Sequence, residues 1–289
     1  FYSCKSLESI TTIPSTVTEI GNEAFGGCSD LREVTLNIGL QKIGEDAFCH
    51  CESLESITLP PTVTEISNDA FGYCINLREV ELNEGLQKIG GNAFYNCEAL
   101  ESITLPSTVT EIGDGAFHNC RNLREVKLNH GVQKIGEAAF NNCSSLESIT
   151  IPSTVAEIGG GAFGGCSDLR EVTLNIGLQK MGEDAFYNCS SLQSITLPST
   201  VTEIGNNAFA NCSNLREVEL NGVPQHIKST AFRNCDELER FLFSTMSYRL
   251  DNIIQTNHWD DFEDKLNEVR GVVQWESDEL FVMKETHQN

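Results

Sequence analysis

The chain has 289 residues, of which 39% are hydrophobic, and it carries 42 acidic against 19 basic residues, a formal net charge of -23. This acidity argues against nucleic acids and against anionic membrane surfaces as partners. No apolar run approaches the roughly 18 residues needed to cross a bilayer, so membrane insertion is not expected either.

A repeat of 23 residues organises the chain, and each full unit opens on a leucine: Leu7, Leu31, Leu54, Leu77, Leu100, Leu123, Leu146, Leu169, Leu192 and Leu215. Odd units read LESITLPSTVTEIGxxAFxxCxx and even units read LREVxLNxGLQKIGxxAFxxCxx. The segment FYSCKS matches the end of a repeat, so the chain opens in mid-unit and Phe1 is not expected to be a natural start. Such an array folds as a stack in which each unit contacts its neighbours.

The first part of each unit predicts a strand followed by a turn. Within LESITL or LREVTL, apolar residues alternate with polar ones, which is the period of a half-buried strand. Proline closes odd strands at 60, 106, 152 and 198, and asparagine closes even strands at 37, 83, 129 and 175. Stacked units would join these strands into one parallel sheet with about 4.8 Å between neighbours.

The later part of each unit, GxxAFxxC, predicts one short helical turn on the opposite side, because Ala, Phe and Cys stand at helical offsets. Stacking aligns the phenylalanines as a buried spine: Phe25, Phe48, Phe71, Phe94, Phe117, Phe140, Phe163, Phe186, Phe209 and Phe232. One unit buries too little apolar surface to offset its own ordering entropy, so stability must come from stacking.

Eleven of the 12 cysteines occupy one repeat position, three residues after a phenylalanine. Their side chains would lie side by side, which is a poor geometry for disulfides, so we interpret them as buried free thiols. A ladder of free thiols slightly favours a cytoplasmic compartment. Three N-x-S sequons, at Asn142, Asn188 and Asn211, have such a cysteine in the middle and leave the compartment undecided.

The pattern L-x-x-[IV]-x-L-P followed by V-x-x-I-G-x-x-A-F-x-x-C resembles the BspA-like class of leucine-rich repeats of bacterial and protist proteins, over residues 1 to 240. The chain lacks the Asn or Cys that usually follows the strand in leucine-rich repeats. The resemblance implies an α/β solenoid of ten coils, with a parallel sheet on the concave face and short helical turns on the convex face. It also implies adhesion or protein binding through the concave face, and it favours the cell surface.

The tail, residues 241 to 289, predicts a small α+β cap on the C-terminal end of the solenoid. Leu250, Ile253, Trp259 and Phe262 are among apolar residues at helical spacing, and GVVQW and LFVM then suggest a hairpin. A helix that docks on a partner is the alternative. RLDNIIQ and DKLNEVRGVV are also similar to tails of repeat proteins in diatom-like algae.

Two positions of the repeat alternate in charge along the stack. The second position does so from Glu8 and Arg32 onward, and the twelfth from Glu19 and Lys42 onward. Opposite charges would therefore face each other on neighbouring coils. Each exposed pair contributes less than about 1 kcal/mol, but together they oppose a slip of the stack by one unit.

The outward strand positions are the best candidates for binding, since they vary most in the central units. We call the following six residues the strand strip: Glu79, Glu81, Glu84, Glu125, Lys127 and His130. They form either a surface that contacts a ligand or a solvated face under little constraint. The threonines Thr58, Thr104, Thr150 and Thr196 could instead form an ice-binding or crystal-binding array, but charged even units interrupt it.

No nucleophile, base and orienting acid occur together outside the repeat positions, so no enzyme activity, cofactor or metal is expected. The glycines at 159, 161 and 164 match a dinucleotide pattern by chance, and Cys49-His50-Cys51 lacks a second pair at zinc spacing. The sequence predicts a monomeric, non-catalytic interaction scaffold for a protein or a surface glycan. A cell-surface adhesion module and a structural spacer are the alternatives.

Overall fold

The computed structural model describes residues 1–222 and 224–243. In this part of the chain, 21 β-strands form two parallel layers of a solenoid, and no helix is present. The predicted C-terminal cap lies outside the described residues, apart from its first three residues. The last described strand is Arg240–Phe243.

The first layer contains the strands predicted from LESITL and LREVTL. They are β1 Ser9–Ile10, β3 Glu33–Val34, β5 Ser56–Thr58, β7 Glu79–Glu81, β9 Ser102–Thr104, β11 Glu125–Lys127, β13 Ser148–Ile151, β15 Glu171–Leu174, β17 Ser194–Leu197, β19 Glu217–Leu220 and β21 Arg240–Phe243. Ile57 is 2% exposed, whereas Ser56 and Thr58 on either side face solvent. The predicted alternation and the parallel pairing are confirmed, although the layer consists of four separate hydrogen-bonded ladders rather than one sheet.

The second layer is a continuous parallel sheet of ten two-residue strands, which the sequence pattern does not predict. They are β2 Glu19–Ile20, β4 Lys42–Ile43, β6 Glu65–Ile66, β8 Lys88–Ile89, β10 Glu111–Ile112, β12 Lys134–Ile135, β14 Glu157–Ile158, β16 Lys180–Met181, β18 Glu203–Ile204 and β20 His226–Ile227. A strand of two residues is too short to show an alternation of apolar and polar residues. These strands are therefore recognised only by their hydrogen bonds to neighbouring coils.

The predicted helical turn in GxxAFxxC is wrong, and the segment is a run of tight turns bonded to the next coil. Cys51 N donates to Phe48 O at 3.1 Å, which closes one turn, whereas Phe48 N donates to Ala70 O of the following coil at 2.8 Å. Asp46 and His50 have φ of 53° and 58°. Left-handed residues at this spacing interrupt a right-handed helix, so the Ala, Phe and Cys side chains reach the core from turns instead.

Left-handed backbone recurs at the residue before the repeat alanine, and two coils have an unfavourable residue there. Ala138 has φ of 50° and Glu23 has φ of 53°. Other coils with a left-handed residue at this position have Asn, Asp or Gly there, as at Asn92, Gly115 and Asn207. An L-residue without a short polar side chain is strained in this conformation, whereas Asn tolerates it.

Ala138→Asn is therefore expected to increase the free energy of unfolding by about 0.5–1 kcal/mol, measured by urea denaturation. Ala99→Asn is the matched control, because Ala99 is also partly exposed but its φ is not positive. A gain at Ala99 equal to that at Ala138 would show that left-handed strain is not the cause.

The phenylalanine spine is confirmed as the centre of the core. Neighbouring rings from Phe25 to Phe232 stack with centroids 5.2 to 5.4 Å apart. Each buried thiol also donates to a phenylalanine carbonyl, as Cys120 Sγ does to Phe94 O at 3.2 Å. The cysteines therefore add a hydrogen-bonded ladder to the spine.

All twelve cysteines are free, and ten of them are buried; Cys4 is exposed, contrary to the predicted burial of the whole ladder. Burial raises the pKa of the Cys51 thiol to about 12. Because the thiolate is the reactive form, the ten buried thiols should resist modification in the folded protein.

At pH 8, an aromatic disulfide reagent is expected to modify Cys4 rapidly and the ten buried cysteines only when urea unfolds the chain. Mass spectrometry of modified peptides identifies the sites, and the urea-treated sample is the control for full reactivity. Modification of several buried cysteines at the rate of Cys4 would contradict this packing.

The charge alternation at the twelfth position is confirmed by the register of the second sheet. Glu111 pairs with Lys88 on one side and Lys134 on the other. Its carboxylate oxygens lie 3.8 Å from Lys88 Nζ and 3.1 Å from Lys134 Nζ. A slip by one coil would place like charges together along the whole row.

Candidate functional site

The strand strip lies on the outer face of the first layer, on two strands separated by a third. Glu79 and Glu81 are exposed on β7, and Glu125 and Lys127 are exposed on β11. The intervening β9 separates the two pairs by two strand spacings, about 9.6 Å. His130 is exposed in the turn after β11.

The structure brings part of the strip into one shallow depression. Glu79, Glu81 and Glu84 line it together with Arg78, Ser102, Thr104 and Pro106. Glu125 and Lys127 lie beyond β9, outside this depression, so the six residues form an interrupted strip rather than a single pocket.

Two carboxylates of the strip accept hydrogen bonds from neighbouring coils, and a third pairs within its own strand. Thr58 Oγ1 donates to Glu81 Oε2 at 3.0 Å. Ser107 donates to Glu84 Oε2 from its backbone nitrogen at 3.2 Å and its hydroxyl at 2.9 Å. The Lys127 ammonium lies 3.0 Å from Glu125 Oε1 on the same strand. Four carboxylates against one ammonium leave the strip negative, which favours a partner with basic groups.

Residues 1–222 and 224–243 contain no group of three or more His, Cys, Asp or Glu side chains arranged to hold a metal ion. Nor does that region contain a helix of the length and apolarity required to span a membrane.

A comparison with known protein families also identifies the repeat. The sequence model of the BspA type leucine rich repeat region matches in overlapping segments, residues 1–124, 41–160, 87–181 and 133–257. The chain belongs to the BspA-type leucine-rich repeat family. Membership in this family implies a role in protein interaction or surface recognition, without naming a partner.

Several solved structures are similar to this BspA-type chain. One is a leucine-rich cell surface protein from Faecalibacterium prausnitzii, with 29% identity over 83% of this chain and 80% of that chain and a TM-score of 0.47. Others are leucine-rich repeat proteins from Bacteroides ovatus (26% identity, 76% and 80% covered, TM-score 0.36) and T. pallidum (28% identity, 71% and 74% covered, TM-score 0.45). No functionally curated protein matches the sequence.

The BspA-type solenoid also carries a surface row that the sequence pattern does not predict. Four rings on consecutive coils contact one another along the turn side: His50, Tyr73, Tyr95 and His118. They occupy the two variable slots of AFxxC, which look random within any one repeat. An alignment of the repeat units would reveal them, because aromatic residues occur at these positions in four consecutive units.

Proposed function

We propose that this chain is a non-catalytic recognition scaffold that binds a protein partner through the strand strip. The observation that carries the proposal is the arrangement of exposed charges on β7 and β11, in which neighbouring coils donate hydrogen bonds to Glu81 and Glu84 and Lys127 pairs with Glu125 on its own strand. Fixed side chains lose less entropy on binding than free ones, which favours recognition over simple solvation.

The chemistry of the strip favours a basic protein surface over a neutral surface glycan. Carboxylates at Glu79, Glu81 and Glu84 offer acceptors to lysine and arginine side chains, and charge-assisted hydrogen bonds are the stronger ones. A partner displayed on a cell surface would make the scaffold an adhesion module, whereas an intracellular partner would fit the free thiols.

Capture from an extract and a surface fraction of the source cell tests the proposal. The chain is compared with a variant in which Glu79, Glu81, Lys127 and His130 are replaced by serine. The matched control replaces Glu33, Thr35, Glu171 and Thr173, which are exposed on the same layer outside the strip. The strip variant is expected to lose the partner by roughly tenfold or more, as expected for a few hot-spot residues, and the control to retain it.

Equal retention by both variants, or equal loss, would contradict binding through the strip. Pretreatment of the fractions with protease or periodate distinguishes a protein partner from a surface glycan. Protease is expected to abolish capture and periodate to leave it intact; the reverse would indicate a surface glycan.

A further inference from the structure

The aromatic row His50, Tyr73, Tyr95 and His118 is a continuous surface feature of four coils. Ring centroids are 4.4 Å apart between His50 and Tyr73 and 5.1 Å apart in the next two pairs. The rings of the last two pairs are tilted by 58° and 49°, so parts of the Tyr95 face are not covered by its neighbours. Tyr73 is 37% exposed, so part of its ring is open to solvent.

An acidic depression adjoins one end of this row. Asp69, Asp114, Glu137 and His118 line it together with Asn68, Asn92, Gly91, Gly115 and Ala138. The Lys134 ammonium interacts electrostatically with Asp114, but it is paired with Glu111 at 3.1 Å. The depression therefore combines three carboxylates with the His118 ring, which is the end of the aromatic row.

The charges in and beside this depression are crowded. Partial burial, together with the negative charge of Asp46, raises the pKa of the Asp69 carboxyl. At the other end of the aromatic row, His50 Nδ1 lies 3.9 Å from Glu52 Oε1. Partial burial lowers the pKa of the His118 imidazole, so that this ring is mainly neutral at neutral pH and does not repel a cation.

We propose that the aromatic row and the acidic depression form a second interaction surface, which binds a lysine- or arginine-bearing peptide segment of a protein partner. The alkyl part of a basic side chain would lie along the tyrosine rings, with its cationic group at Asp69 and Asp114. Cation–π contacts and ion pairing with these carboxylates both require a positive ligand, so the two features select the same partner.

This surface is independent of the strand strip. It is built from the turn segments GxxAFxxC, whereas the strip belongs to the first strand layer and the turns that follow its strands. Stacking between rings also stabilises the solenoid, and a test must separate that contribution from binding.

Fluorescence anisotropy with a labelled peptide of alternating lysine and glycine tests the proposal, at a salt concentration of about 150 mM where diffuse attraction is screened. The first variant combines Tyr73→Ser with Tyr95→Ser. The second combines Asp69→Asn with Asp114→Asn, which keeps both rings and suits the left-handed backbone at Asp69, φ 54°. A matched control, Glu33→Gln with Glu171→Gln, removes the same charge from exposed positions outside both the strand strip and the acidic depression.

Both site variants are expected to weaken peptide binding by roughly tenfold, and the control by less than about twofold. Urea denaturation shows whether the tyrosine variant remains folded, and the Asp variant decides the matter if it does not. Equal weakening by the Asp variant and the control would show diffuse attraction to an acidic protein and overturn the proposal. So would unchanged binding by a folded tyrosine variant. The capture experiment tests the strand strip with its own variants, so a negative result with the peptide does not contradict binding through the strand strip.

Discussion

Phe117→Ala is expected to lower the free energy of unfolding by about 3–5 kcal/mol and to split unfolding into two transitions. Phe117 is fully buried, and its ring stacks between Phe94 and Phe140 at 5.2 Å from each. Truncation leaves a cavity at two coil interfaces at once. In a stack where each coil contacts only its neighbours, weakening one interface uncouples the two halves.

Urea denaturation followed by circular dichroism measures both effects. Tyr187→Ala is the control, because this ring is 40% exposed on the outside of the same stack, and it should change stability by less than about 0.5 kcal/mol. A loss at Phe117 no larger than that at Tyr187 would show that the spine is not the main source of stability.

Gly177→Ala is expected to destabilise the solenoid by about 3 kcal/mol, through backbone strain and overpacking together. Gly177 has φ of 133°, a conformation that L-residues rarely adopt. An added Cβ would also lie against the Ser153 carbonyl oxygen of the preceding coil, with the Ser153 carbonyl carbon at 3.0 Å. Both atoms belong to backbone, so no side-chain rotation can relieve the contact.

Gly21→Ala is the matched control for this second substitution, since a Cβ at Gly21 would have no atom within 4 Å. Thermal or urea unfolding of the two variants separates the local contact from the general cost of replacing glycine. Similar stability for both would show that close approach of neighbouring coils does not restrict Gly177.

The parts of the fold that repeat along the chain can be predicted from the sequence. Alternation in LESITL places Ile57 inward and Ser56 and Thr58 outward, as found. Likewise, the strict spacing of Phe and Cys predicts a buried spine of both. Residues at the same repeat position lie above one another in neighbouring coils, so each coil covers the Phe and Cys of the next. The family also follows from these residues.

The short connections could not be predicted, because their geometry depends on the next coil. Ala, Phe and Cys have the same offsets in a helix and in the observed turns, and only the left-handed φ at positions such as Asp46 and His50 separates the two. The two-residue strands, such as Lys42–Ile43, exist through pairing between coils, which a window along one chain does not contain.

For the candidate site as well, features that depend on one strand could be predicted, whereas features that depend on contacts between coils could not. Exposure of Glu79 and Lys127 follows from strand alternation, and the structure places both outward. Hydrogen bonds from Thr58 and Ser107 to the strip join residues 23 positions apart, so they become visible only when the coils are stacked. The carboxylates of the strip specify the charge of a partner rather than its identity.

Hydrogen–deuterium exchange on the chain, with and without the captured partner, identifies the segments that the partner covers and needs no substitution. Slower exchange is expected in the peptides that contain β7, β9 and β11, with little change in the strands of the second layer. Protection confined to the turn segments or to the C-terminal tail, with β7 and β11 unchanged, would contradict recognition through the strand strip.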